Sequence, residues 1–291
     1  MPATLAARQA QIRHPGPPAA ERRRVVPGRV RAVEVALPAG AVLMEAVAAA
    51  MDAIGCESAM LLLDGLVIGP YAYVMPAKDS PDGKRAAWYS RTHSGDRAVL
   101  ERATATVGRR DGAWWLHCHA LWDADTAAPR AGHLLPDQVT IAADCVATAM
   151  AFDGGRFEVT PCDETLFSLF RPVATTAPAG AANAAIVTFG PHEDAVEATR
   201  AVAAGLGFAA SRLYGVGSLI GADFADEVSM EAPASEILLL PGAEPERMRT
   251  LCVDPAGRIF RGTLLPGRAP VCVTFEMMIV ADEASPICAL S

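Results

Sequence analysis

Three of the chain's six histidines, His117, His119 and His133, lie close together. The first two belong to Ala113-Trp-Trp-Leu-His-Cys-His-Ala-Leu-Trp-Asp123, which alternates with the period of two that a strand requires. Trp114, Leu116, Cys118, Ala120 and Trp122 then make one apolar face, and His117 and His119 project side by side from the other, with Trp115, Leu121 and Asp123. An antiparallel return through a loop rich in Asp, Ala and Pro brings His133 beside them. Three neutral imidazoles from two adjacent strands form a metal site with an open position, as zinc uses when water or substrate completes its shell. Nickel, copper or iron suits the same nitrogens. If the metal is structural, Asp123 can close the shell. Hydrogen-bonded sheet histidines beside a tryptophan cluster fit the same pattern, because His-x-His is a short motif.

Such a strand pair needs a sheet and a helix behind it. Val30 to Leu37 reads as a strand, and Pro38-Ala39-Gly40 opens an amphipathic helix that runs to Ile54. Leu43, Ala46, Val47, Ala50 and Ile54 recur at helical spacing on its buried face, and Gly55 ends it. Ser58–Leu63, Leu66–Ile68 and Tyr71–Met75 read as strand segments, followed by a turn-rich loop over Pro76–Lys84, and Ala87–Arg91 and Ala98–Gly108 precede the histidine strand. Val139 to Phe152 reads as one long strand, and Arg156 to Phe170 closes the unit. Residues 173–184 have linker composition.

Beyond the linker the pattern begins again. Gly55, Gly65 and Gly69 recur at identical spacing as Gly207, Gly217 and Gly221, each set following an alanine-rich helix. Gly132-His-Leu-Leu-Pro136 is echoed by Gly262-Thr-Leu-Leu-Pro266. Two copies of one fold follow, over 32–172 and 185–291. The second has Thr263 in place of His133 and no histidine after His192, so it is expected to act as a structural partner without metal ligands.

Trp-Leu-His-Cys-His-Ala-Leu-Trp-Asp followed by Gly132-His133-Leu134-Leu135-Pro136 resembles the PCC domain, the "plants and prokaryotes conserved" family also called DUF296. The resemblance covers nearly the whole chain after residue 31, with the histidine motif intact in one copy. It implies an α/β (α+β) fold for each unit, a mainly antiparallel sheet packed with a helix. It implies that His117, His119 and His133 hold a metal ion such as Zn2+. It also implies a homo-oligomer, a trimer, and by family association a DNA-binding, regulatory role as the alternative function.

The chain's charge argues against that alternative. Of 25 Lys and Arg, seven arginines lie in residues 1–31, and of 33 Asp and Glu only Glu21 does. The body keeps 18 basic against 32 acidic residues, a net −14, which repels phosphate backbones. The Arg- and Pro-rich segment 1–31 reads as a disordered tail. No apolar run is long enough to span a membrane. Seven cysteines without Cys-x-x-Cys give no disulfide framework, and the cytoplasm is the expected compartment. A metal beside Trp115, Trp122 and Asp123 makes a small-molecule pocket or a metal-dependent enzyme site the leading expectation. Further candidates fall largely in a segment of the first copy with no counterpart in the second. Arg91 can clamp a small anionic ligand and His93 can move protons. Asp144, read as mid-strand, can serve as a base.

Overall fold

A computed structural model describes residues 4–78, 80–124, 130–176, 180–208, 210–282 and 287–288. The first unit comprises α1 (Leu5–Gln9), β1 (Arg23–Leu37), α2 (Leu43–Ile54), β2 (Ser58–Leu62), β3 (Val67–Val74), β4 (Pro76–Ala77), β5 (Trp88–Tyr89), β6 (His93–Gly95), β7 (Ala98–Arg110), β8 (Ala113–Ala124), β9 (Arg130–Ile141), β10 (Cys145–Asp153), β11 (Gly155–Pro161) and β12 (Ser168–Ala174). The second comprises β13 (Ala184–Phe189), α3 (Ala195–Leu206), β14 (Ser211–Leu219), β15 (Glu236–Leu239), β16 (Arg249–Val253), β17 (Ile259–Thr263), β18 (Val271–Ala281) and β19 (Ile287–Cys288).

The fold is α+β and mainly antiparallel. In the first unit the strands are laddered β1-β10-β2-β7-β8-β9, with β3 pairing both β9 and β7. In the second the ladder runs β13-β18-β14-β15-β16-β17, the same order of elements. Each ladder packs on its helix. Leu43, Ala46, Val47 and Met51 of α2 join the first core, and Ala195, Val196, Ala198 and Ala203 of α3 join the second. Both helices end on a left-handed glycine, Gly55 at φ 61° and Gly207 at φ 71°, a conformation that costs a residue with a Cβ. The glycine repeat diverges in between. Gly65 turns the chain between β2 and β3 at φ 83°, whereas Gly217 lies inside the continuous β14 against Phe275.

Two sequence expectations are corrected. The segment up to residue 31 is not a disordered tail across its described part. β1 begins at Arg23, pairs through Gly28 with β13 of the second unit, and from Arg29 switches to β10 of its own. Pro27 is tolerated because its fixed φ suits an extended chain. A Cβ on Gly28 would lie 2.3 Å from the Asp153 carbonyl oxygen. Ahead of β1, Arg8 is fully buried, 2.5 Å from Asp223, and Ile12 is buried as well. The other correction concerns Val139–Phe152, which is two strands. The chain turns at Ala142-Ala143-Asp144 without a glycine or proline to mark it.

The units meet along two apolar seams. Met60, Phe152 and Phe157 pack with Ile186 and Met278 in one, and Leu121 and Ala131 pack with Val216, Leu238, Leu251 and Val253 in the other. The second seam covers the histidine-bearing face of β8.

Candidate metal centre

The alternation of β8 is as the sequence dictates. Trp114, Leu116, Cys118, Ala120 and Trp122 are buried in the first unit's core, so His117 and His119 must face the other way. β9 returns antiparallel with His133 directly across from His119. One nitrogen from each of the three rings lies within 4.8 Å of the others. The ring centroids are 4.6 Å apart for His117 and His119, 4.9 Å for His117 and His133, and 5.3 Å for His119 and His133.

The hydrogen bonds fix the tautomers. His117 Nδ1 lies 2.8 Å from Glu276 Oε2, and His119 Nδ1 lies 2.8 Å from the Ile237 carbonyl oxygen. Both oxygens accept, so in each ring the Nδ1–H donates, and the neutral ring then keeps its lone pair on Nε2. Those two Nε2 atoms face each other at 2.9 Å, and Glu236 Oε2 lies 2.9 Å from His119 Nε2. Acceptors so arranged require a proton or a cation between them. His133 adds a buried Nδ1 with no hydrogen-bond partner among the described residues. This donor set fits a divalent transition metal: three imidazoles, two held by outer acceptors that raise ligand basicity. Glu236 touches His119 but lies outside the set in which all donor atoms are mutually within 4.8 Å.

The electrostatics follow from the same contacts. Burial acts to lower the pKa of His117, but the charge and hydrogen bond of Glu276, with Glu236 behind it, outweigh burial and raise it. Burial, then charge on His117 and His119, holds His133 well below 6.5. A metal bound here would supply a Lewis acid that polarises an oxygen ligand or acidifies bound water. The chain's own groups, Glu276 and the Ile237 carbonyl, hold two of the imidazoles in place. A cavity of about 480 Å³ opens onto His117, His133, Glu236 and Glu276. Tyr89 lines it, its ring 5.2 Å from that of His133. Burial, then the charges of Glu236 and Glu276, raises the Tyr89 pKa.

The other sequence candidates lie elsewhere. Arg91 is exposed. His93 sits in β6 opposite Tyr73 and stacks on that ring at 5.1 Å. Neither lines the cavity. Asp144 is exposed in the β9–β10 turn and accepts from the Ala39 N–H at 2.8 Å. Asp123, at the end of β8 opposite Val99, is exposed and outside the histidine set. Sequence reasoning missed Glu236 and Glu276. Their signal was available: Glu276 is the one charged residue in Val271–Ala281, and a charge amid such a run is costly unless paired.

No family model matches the chain, and no curated protein matches it. Among solved structures, it is similar to a metal-containing protein from Archaeoglobus fulgidus at 16% identity and TM-score 0.40, covering 50% of this chain and 97% of that one. It is similar to a protein proposed to bind DNA from Ralstonia eutropha at 13% identity and TM-score 0.38, covering 47% and 89%. It is also similar to a plant- and prokaryote-conserved (PPC) protein from Pyrococcus horikoshii at 16% identity and TM-score 0.38, covering 55% and 100%. The structural neighbours thus include the family that the histidine strand resembles.

Proposed function

We propose that the chain is a tandem PCC/DUF296 protein that binds one divalent metal ion, zinc foremost, through His117, His119 and His133. In this reading it uses the adjoining cavity as a small-molecule or metal-dependent enzyme site. The observation that carries the proposal is the pair of Nε2 atoms 2.9 Å apart whose rings both commit Nδ1 to an acceptor. The second unit lacks imidazoles on the matching strands and supplies Glu236, Glu276 and the Ile237 carbonyl instead. His133→Ala tests this: the purified variant should lose stoichiometric metal, measured by elemental analysis, while remaining folded. Unchanged metal content would remove the site.

DNA binding is not favoured. The arginines of residues 1–31 are largely engaged within the protein: Arg8 with Asp223, Arg22 with Glu164, Arg23 with Glu193 and Arg31 with Asp153. The trimer rests on the resemblance alone, and light scattering that finds a monomer would reject it. No helix among the described residues is long and apolar enough to cross a membrane. The six cysteines with described side chains are all free, which supports a reducing compartment such as the cytoplasm.

A further inference from the structure

We infer that Arg110 makes the cavity selective for small organic acids with a flat apolar body, one end at the metal and a carboxylate at the guanidinium. The inference rests on the metal reading above and adds the ligand class. Arg110 ends β7, beside the hairpin that leads into β8. Its guanidinium carbon lies 4.7 Å from the centroid of the Trp115 ring, a stack that fixes the plane of the cation. Trp115 precedes His117 by two residues on the same face of β8, a spacing of roughly 6.7 Å. Cation, indole and imidazole therefore form a row, and all three line the same cavity.

The charge pattern sets the ligand's charge. Arg110 is the one Lys or Arg among the described residues lining the cavity. It has no carboxylate within ion-pairing distance among the described residues, while its neighbour Arg109 stacks on Trp114 and lies 3.9 Å from Asp52. One unpaired guanidinium, with Glu236 and Glu276 at the far end, matches a single carboxylate, which a guanidinium can hold with two parallel hydrogen bonds. Arg85, 4.6 Å over the Trp88 ring, already pairs with Asp82 and donates to the Leu166 carbonyl, so a doubly charged phosphate would meet one unpaired cation. The ligand's body is set by the aromatic faces. Tyr89 lies against His133, Phe167 is 6.1 Å from Tyr89, and Trp88 is 5.3 Å from Phe167. With Trp115 they offer flat apolar contact from the metal end outwards. The anion site expected at Arg91 thus falls to a different arginine.

The test uses the full chain loaded with zinc and two probes, benzohydroxamic acid and 4-carboxybenzohydroxamic acid, by titration calorimetry. Both carry a metal-binding hydroxamate and one adds the carboxylate. The wild type should bind the carboxylated probe about tenfold more tightly, a modest factor because Arg110 is exposed and screened. Arg110→Gln should bring the two probes to parity, with metal content and benzohydroxamate affinity unchanged. Equal affinities in the wild type, or a preference that survives Arg110→Gln, would overturn the inference while leaving the metal site standing. Absence of zinc would overturn the metal reading and this inference together, whereas zinc held with neither probe bound would overturn this inference and leave the metal site standing.

Discussion

The β8–β9 pair of the first unit and the β16–β17 pair of the second occupy the same place in their ladders but carry different chemistry. The first presents His117, His119 and His133. The second presents Leu251 and Val253, which pack on Leu121 and Ala131 beside those histidines. The second unit's polar contribution comes instead from β15 and β18, as Glu236 and Glu276, with relative exposures of 8% and 1%. A carboxylate so buried is costly unless partnered, and each of these has a histidine of the first unit as its partner. The unit without the histidine cluster is therefore no bystander. It supplies the oxygens that face both Nδ1 atoms, His117's and His119's, in the unit that has it.

That division of labour can be broken from the second unit's side. Glu276→Gln keeps the size of the side chain but removes its charge and gives up one acceptor oxygen at His117 Nδ1. Metal affinity should fall by about ten- to a hundredfold, the usual effect of losing an outer partner, when measured by competition with a chelator. Glu34→Gln, an exposed acid on β1, should leave it unchanged. Equal affinities in all three proteins would make Glu276 irrelevant to the site.

A smaller effect is expected at the seam. Leu121 shares the histidine face and is fully buried against the second unit. Leu121→Ala should cost about 3 kcal/mol by denaturant unfolding, through lost burial and the cavity left behind. A cost within 0.5 kcal/mol, the range of an ordinary surface change, would mean that the units do not pack there.

The least change is expected at the N-terminal strap, which ties the first unit to the second. Gln9 Nε2 donates to the His192 carbonyl at 2.9 Å, and His14 Nε2 lies 2.8 Å from the carbonyl of Cys272. Burial, chiefly, holds His14 and His192 below 6.5, with Arg22 acting the same way and Glu164 opposing. At these two positions the folded chain then binds fewer protons than the unfolded one just below pH 6.5, so their contribution to stability falls as pH drops through that range. Hydrogen exchange across the strap, corrected for intrinsic rate, should quicken from about pH 7.5 to about 5.5. Protection independent of pH would contradict this.

What could be read from the sequence was local. Alternation over Ala113–Asp123 placed the histidines on one face, and a hairpin return supplied the third. The helix ends were legible at Gly55 and Gly207 because a left-handed residue there favours glycine. Long-range pairing was not legible. Glu276 lies 159 positions from His117, and no pattern within β8 points to it. The strand from Arg23 was obscured because prolines and arginines read as a tail, while the strand and the acids that hold it belong to distant segments. Asp144 was placed mid-strand because the turn it occupies has neither glycine nor proline, and a single Asp within an apolar run marks a turn weakly.

X-ray absorption at the metal edge of the purified full chain tests the central claim most directly. The account predicts one zinc per chain with three imidazole nitrogens at about 2.0–2.1 Å and no sulfur ligand. Zinc held by cysteine sulfur, a shell with fewer than three imidazoles, or a protein free of stoichiometric metal would contradict it.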